Sequence, residues 1–181
     1  MPYSNPKSSS PFIQSIIRVN QAGEFGAKRI YEGQLSLLKH SDEHALIQEM
    51  LTQEEEHLAL FTNLAVSRDV APTKLMPLWN ILGFGLGALS ASLGKKAAMA
   101  ATVAVEEVID EHYQGQLNQL RSIRDDYERP LQVLIEKCHA DELAHKNIAM
   151  EQKASEMPGF PIFKALLKTG VRVAILLSKR I

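Results

Sequence analysis

Two stretches of this chain are near copies of one another, and what surrounds them repeats as well. Residues 31–35 read YEGQL and residues 113–117 read YQGQL. A glutamate stands seven positions before each tyrosine, Glu24 before Tyr31 and Glu106 before Tyr113. Each copy is then followed by Glu-x-x-His, at Glu54/His57 and at Glu142/His145. The spacing from Glu24 to Glu54 is 30 residues, and from Glu106 to Glu142 it is 36. Chance can repeat a pentapeptide. An ordered set of this kind points to a duplicated helical hairpin.

The periodicity agrees. Ser10-Pro11 suits an N-cap followed by a first-turn proline. The helix it opens places Ile17, Glu24, Tyr31 and Leu38 on one face, with Ile13, Ala27, Gln34 and Leu35 beside them. A second helix carries Ile47, Met50, Leu51, Glu54, His57, Leu58, Phe61 and Leu64. A third carries Met99, Thr102, Glu106, Ile109, Tyr113, Leu117 and Leu120. A fourth, with Pro130 in its first turn, carries Leu131, Leu134, Ile135, Cys138, Glu142, His145 and Ala149. No stretch shows sustained strand alternation. Short turns join the helices within each pair, so each pair is expected to be antiparallel. Roughly thirty residues separate the two pairs, which is the single long crossover of a ferritin-like bundle. The expected fold is therefore all-α, a ferritin-like four-helix bundle.

Composition narrows the choices. A chain of 181 residues holds one domain with a sizeable core. Residues 1–11, MPYSNPKSSSP, are polar and lack an apolar stretch. They read as a flexible tail rather than a targeting signal, and leave 12–181 as a single domain. A net charge of -1, from 20 Lys+Arg against 21 Asp+Glu, excludes a dedicated nucleic-acid binder. A lone cysteine, Cys138, rules out an internal disulfide and multi-cysteine zinc sites.

The crossover is unusual in itself. Residues 75–94, LMPLWNILGFGLGALSASLG, contain no charge. Their length would permit a membrane span, but Pro77, Asn80, Gly83, Gly85 and Gly87 weaken that reading. An apolar helix lying in a membrane surface is preferred, with a fifth helix buried on the bundle as the alternative. The segment from Phe160 to Ile181 is amphipathic, with Lys164, Lys168 and Arg172 recurring every four residues. It reads equally as a basic helix on anionic lipid or as a C-terminal helix packed on the bundle.

The repeated residues carry the chemistry. A Glu and a His three apart on a helix point the same way, so both can reach one metal ion. Four carboxylates at core positions would cost several kcal/mol each if buried without partners. No Lys or Arg lies on these stripes, since Lys28 and Lys95 fall to the side. Two divalent ions would balance the charge. Glu24, Glu54, His57, Glu106, Glu142 and His145 match the donor set of dimetal carboxylate bundles, one Glu from each of two helices and Glu-x-x-His from the other two. Oxygen-rich ligation with imidazole suits iron or manganese, and redox chemistry with dioxygen. Asp141 is the candidate partner for His57, and Gln53 holds the equivalent place in the first half. Tyr31 and Tyr113 lie on the faces of Glu24 and Glu106, as core tyrosines or as hydrogen-bond donors to the site. Glu32, Glu43, Glu49, Glu56, Glu107 and Glu111 fall off the stripes and read as surface residues. Cys138 reads as a small core residue and His112 as a boundary histidine. His40, His44 and His139 have no evident partner.

Five segments, in order, resemble the demethoxyubiquinol hydroxylase family of ubiquinone biosynthesis. They are RVNQAGEFGAKRIYEGQL, QEEEHL, LMPLWNILGFGLGALSASLGK, TVAVEEVIDEHY and DELAHK. The resemblance runs from Ile16 to the C-terminus, and AGE at 22–24, the MPLWN run and VAVEE at 103–107 are its most specific parts. It implies that Glu24, Glu54, His57, Glu106, Glu142 and His145 hold two iron ions, with dioxygen as co-substrate. It also implies a peripheral membrane enzyme that hydroxylates a prenylated benzoquinol ring. The location implied is the cytoplasmic face of a bacterial inner membrane, or the matrix side of the mitochondrial inner membrane in a eukaryote. The implied partners are the quinol, a membrane surface, and a second copy or other ubiquinone-biosynthesis proteins. A ferritin-like iron-storage protein and a manganese catalase are the rival readings of the same donor set.

Overall fold

The computed structural model describes residues 10–123 and 125–180. Among them there is no strand. Six α-helices follow in order: α1 (Pro11–Leu37), α2 (His44–Ser67), α3 (Met76–Ser92), α4 (Lys95–Ile123), α5 (Arg129–Glu151) and α6 (Phe160–Arg180). Residues 1–9 of the expected tail lie outside the described residues, and Pro11 already belongs to α1. The Ser10 hydroxyl accepts from the backbone N–H of Ile13 at 3.3 Å, so the expected cap is formed.

The bundle proper is α1, α2, α4 and α5, with short turns inside each pair and α3 in the crossover, as in ferritin-like proteins. The apolar stripes meet in two clusters. One gathers Ile13, Ile17, Phe61, Leu117, Leu131 and Ile135. The other gathers Leu35, Ile47, Met50, Met99, Val103 and Ala149. Each such side chain, fully buried, contributes roughly 1.5–3 kcal/mol relative to exposure. The repeated Glu and His residues lie between the two clusters in the helix sequence, with apolar packing on either side.

The crossover helix is packed on the bundle along one face and exposed along the other. No described helix is long and apolar enough to cross a membrane. Instead, α3 is laid along α1 at very close range. A methyl group added at Gly33 would collide with the Phe84 carbonyl, and one added at Gly87 with the Ile30 carbonyl. These glycines are where two helix backbones touch. One face of α3 is thus the fifth-helix packing that stood as the alternative. The opposite face leaves Leu78, Ile81, Leu82 and Leu89 exposed.

The C-terminal helix takes the second of its two readings. Lys164, Lys168 and Arg172 point at the bundle. Lys164 and Lys168 pair with Glu107 at 2.8 and 2.7 Å, and Lys168 and Arg172 pair with Glu111 at 3.1 and 2.8 Å. Glu107 and Glu111 stand one turn apart on α4, which matches the four-residue period of the cations. Both acids lie off the buried stripe as expected, Glu107 half-buried and Glu111 at the surface, and both are ion-paired. Glu43 is likewise drawn in, against Lys95 at 2.8 Å. What α6 turns outward is apolar: Ile162 is 71% exposed and Leu166 70%.

Candidate metal centre

Each bundle helix contributes from its buried stripe: Glu24 from α1, Glu54 and His57 from α2, Glu106 from α4, and Glu142 and His145 from α5. None of the six is more than 3% exposed. Their donor atoms form two groups. In one, atoms of Glu24, Glu54, His57 and Glu142 lie within 4.8 Å of one another; in the other, atoms of Glu54, Glu106, Glu142 and His145 do. Glu54 and Glu142 belong to both groups. The pattern is two adjacent positions, each with its own Glu and His, sharing two carboxylates between them.

The histidine rings are held from outside. His57 Nε2 donates to Asp141 Oδ2 at 3.0 Å, and His145 Nε2 donates to Gln53 Oε1 at 2.6 Å. Each partner precedes the glutamate of the opposite Glu-x-x-His motif, so α2 and α5 orient one another's imidazoles. With the proton on Nε2, each Nδ1 lone pair faces inward. His57 Nδ1 lies 3.5 Å from both Glu24 Oε2 and Glu142 Oε1. His145 Nδ1 lies 3.2 Å from Glu54 Oε1 and from Glu142 Oε2. A lone pair aimed at a carboxylate is repulsive unless a cation or a second proton stands between them.

The electrostatics carry the same message. Burial, then the charge on Glu142, pushes Glu54 and Glu106 well above the usual carboxylate range. Burial would raise Glu142 too, but the His145 and His57 rings outweigh it and hold it at about 2. Burial would lower His57, yet the Glu142 and Glu24 carboxylates raise it to about 10. A cluster without metal must neutralise itself with protons. Both oxygens of Glu54, Glu106 Oε2 and His57 Nδ1 are sealed from solvent without a hydrogen-bond partner. Such orphaned polar atoms are costly. The residues fit a pair of divalent cations, which would satisfy every one of these atoms.

Around this set the duplication is visible as crossed contacts. Tyr31 OH donates to Glu106 Oε1 at 3.0 Å, and Tyr113 OH donates to Glu24 Oε1. Burial, and then the nearest glutamate, raises both phenols well above their usual range. Beyond them, Gln34 reaches Thr102 at 3.5 Å and Gln116 exchanges hydrogen bonds with Asn20 at 2.9 and 2.8 Å. Asn20, Gln116 and the pairing of Gln34 with Thr102 were not anticipated as supports of the site. The signal was in the repeat, because Asn20 and Thr102 both stand four residues before the core glutamate. His112 joins this network through Gln116 at 2.7 Å, and burial, then the Lys179 charge, lowers it to about 4. His139, for which no partner was expected, donates to Asp110 at 2.7 Å.

An apolar cavity of about 350 Å³ opens between α1, α3, α4 and α6. Ala27, Ile30 and Val105 line it and also line a narrow void that touches Tyr31, Thr102 and Glu106. Leu82 and Leu166, exposed on the outward faces of α3 and α6, stand at its lining as well. Ala27, Ile30 and Val105 thus form the wall between the cavity and the Glu106 side of the cluster.

Fold and site together define a class: ferritin-like helical bundles whose core holds a carboxylate–histidine cluster compatible with a metal centre. Within it, the chain belongs to the family described as Ubiquinone biosynthesis protein COQ7, whose profile matches residues 11–178. It is 49% identical over 175 residues to the NADPH-dependent 3-demethoxyubiquinone 3-hydroxylase, mitochondrial, of Dictyostelium discoideum, covering 97% of this chain and 80% of that one. It is 47% identical to the human protein of the same name, covering 93% and 78%. The 3-demethoxyubiquinol 3-hydroxylase of Rhodospirillum rubrum is 44% identical, covering 96% and 81%.

Proposed function

We propose that this chain is a di-iron monooxygenase that adds one hydroxyl group to a demethoxy prenylated benzoquinol during ubiquinone biosynthesis, with dioxygen as co-substrate. The observation that carries the reading is the pair of donor groups sharing Glu54 and Glu142, with an apolar cavity whose wall at Ala27, Ile30 and Val105 also faces the Glu106 side. The family and the names of the relatives support it. Glu24 and His57 would hold one ion, Glu106 and His145 the other, and Glu54 and Glu142 both. The iron pair, when bound, would supply oxygen activation, with one atom going to the ring and the other leaving as water at the expense of two electrons and two protons from an external reductant. The chain does the rest. Asp141 and Gln53 fix the two imidazoles, and Tyr31 and Tyr113 steady the outer carboxylates. The cavity takes the ring and the first part of its tail, and the constriction at Ile30 and Val105 keeps bulk water from the cluster.

A substrate with a prenyl tail dissolves in a bilayer. The exposed apolar faces of α3 and α6 would seat the cavity mouth there, making the protein peripheral on a membrane, on the cytoplasmic or matrix side. An iron store or a catalase has no use for such a cavity. The deciding measurement is turnover of a short-tailed demethoxyquinol under isotopic dioxygen. Label in the new hydroxyl, dependent on iron and lost in Glu106→Ala, is the expected result. Label arriving from water, or rapid iron uptake with no quinol product, would overturn it.

A further inference from the structure

The apolar cavity has two unlike ends. Its lining runs from Ile30 to Val19 along α1 and from Leu166 to Ser178 along α6. At about 1.5 Å per residue, each stretch is roughly 16–18 Å long. Lys164 and Lys168 pair with Glu107, which sets the first turns of α6 beside Val105 and the Glu106 wall. At the far end the Trp79 indole of α3 donates to the Ser178 hydroxyl of α6 at 2.9 Å. Trp79 and Ser178 are the two side chains of the lining able to form a hydrogen bond, and they bond to each other. Ser178 is also the one buried residue among those described in α6. A polar bond at one end of an otherwise apolar cavity fixes a large, rigid ring across it.

We propose that Trp79, held by Ser178, is the end wall of the tail site, so that the cavity grips a fixed initial length of the substrate's prenyl tail. The inference rests on the quinol reading above, with the ring beside Ile30 and Val105. An isoprene unit adds four bonds along the chain, about 5 Å with carbon–carbon bonds near 1.5 Å. If the ring takes about 6–7 Å of the cavity's length, about 10 Å remain, which is room for about two units. Later units leave sideways between α3 and α6, where Leu82 and Leu166 line the cavity and also reach the surface. The tail then contributes the same binding energy to every substrate that fills the gripped length. Long tails of any length are accepted alike, and shorter ones are selected against.

Titration calorimetry tests this with the intact, metal-loaded chain and oxidised demethoxyquinones carrying zero to three isoprene units, in buffer without lipid or detergent. Burying one CH2 is worth about fourfold in affinity, so each of the first two units is expected to strengthen binding roughly tenfold or more, and the third by less than about threefold. Trp79→Ala removes the wall and is expected to let the third unit strengthen binding as the second does. Ala174→Leu places a larger side chain in the lining one turn before Ser178 and is expected to end the gain after the first unit. A third unit that strengthens binding to the unaltered chain as much as the second would overturn the proposal, as would a break still at two units in Trp79→Ala. Either result would leave the quinol reading standing, whereas no binding of any of these quinones would remove both. Should Trp79→Ala fail to fold, Ser178→Ala, which frees the indole, decides by the same shift.

Discussion

Asp141 and Gln53 show how little of a metal-type site resides in the residues that would touch the ion. Each sits next to a glutamate of its own motif and holds the imidazole of the other. Asp141→Ala is expected to leave helical content unchanged and weaken metal binding roughly 10- to 100-fold, because the His57 ring loses both orientation and basicity. Glu56→Ala, at an exposed position on the same helix as His57, is expected to change nothing. A chelator-competition titration of both variants separates the two cases, and equal affinities would sink the orienting role. The six clustered residues were legible because a repeat marks them and a buried acid demands an explanation. The crossing of Tyr31 to Glu106 and Tyr113 to Glu24 was not. Periodicity gives the face of one helix, whereas which helix it meets depends on how the hairpins dock.

At the scale of elements, α6 is held to the bundle by charge as well as by packing. Burial alone would raise Glu107, but Lys164 and Lys168 pull it below its ordinary value, and Arg172 is the main cause of the lowering at Glu111. A carboxyl depressed in the folded state contributes stability that is present above its unfolded pKa and lost as pH falls through the folded one. Lys168 works at the other end. Burial would lower it, Glu107 and Glu111 raise it, and its contribution disappears only as pH rises through its elevated value. The strap should therefore hold across neutral pH and loosen below about pH 4. The single tryptophan reports on it, since Trp79 on α3 donates to Ser178 on α6 at 2.9 Å. Acidification, or Glu107→Gln with Glu111→Gln at neutral pH, is expected to red-shift Trp79 emission while far-ultraviolet circular dichroism keeps most of its helical signal. Unchanged emission in the double variant would show that packing alone holds α6. Each pair is partly exposed, so its worth is about 0–1 kcal/mol and salt should mimic the effect.

The crossover makes a second point at this scale. The four bundle helices could be read from their stripes, but the glycines of 75–94 counted only against a membrane span. Gly83 and Gly87 are contact points, and their meaning lies in α1, where the Gly26 and Ile30 carbonyls receive them. Gly87→Val would force the two backbones apart and is expected to cost about 1–3 kcal/mol or more, seen as a lowered Tm. Gly85→Val, where an added Cβ meets nothing, should be milder by comparison. Similar losses at both positions would contradict the close packing. The same logic explains the basic stripe of α6, which suits lipid as well as it suits Glu107 and Glu111 until the neighbouring helix is known.

For the whole molecule, the arrangement of surfaces matters more than any one residue. The cavity is lined by α3 and α6, Leu82 and Leu166 belong both to its lining and to the exposed surface, and Lys164, Lys168 and Arg172 of α6 are spent on internal pairs. Membrane attachment should therefore be driven mainly by apolar burial, with a weaker dependence on anionic lipid than a free basic helix would show. Ile81, Leu89 and Ile162 are 69%, 62% and 71% exposed. None of them lines the cavity. Replacing all three with Asp is expected to release the protein from liposomes into the soluble fraction. Metal content and turnover of a short-tailed, water-soluble quinol should stay near the unaltered chain's. Turnover of a long-tailed quinol in vesicles should fall with the attachment, because that substrate is reached only from the bilayer. Each Asp removes an apolar contact worth roughly 1.5–3 kcal/mol and adds a charge that lipid resists, so the three changes act in the same direction. Sedimentation with vesicles, run beside the two turnover assays, separates attachment from chemistry. Equal partitioning of variant and unaltered chain would place the anchor elsewhere, and loss of short-tail turnover along with attachment would mean that these side chains support the site itself.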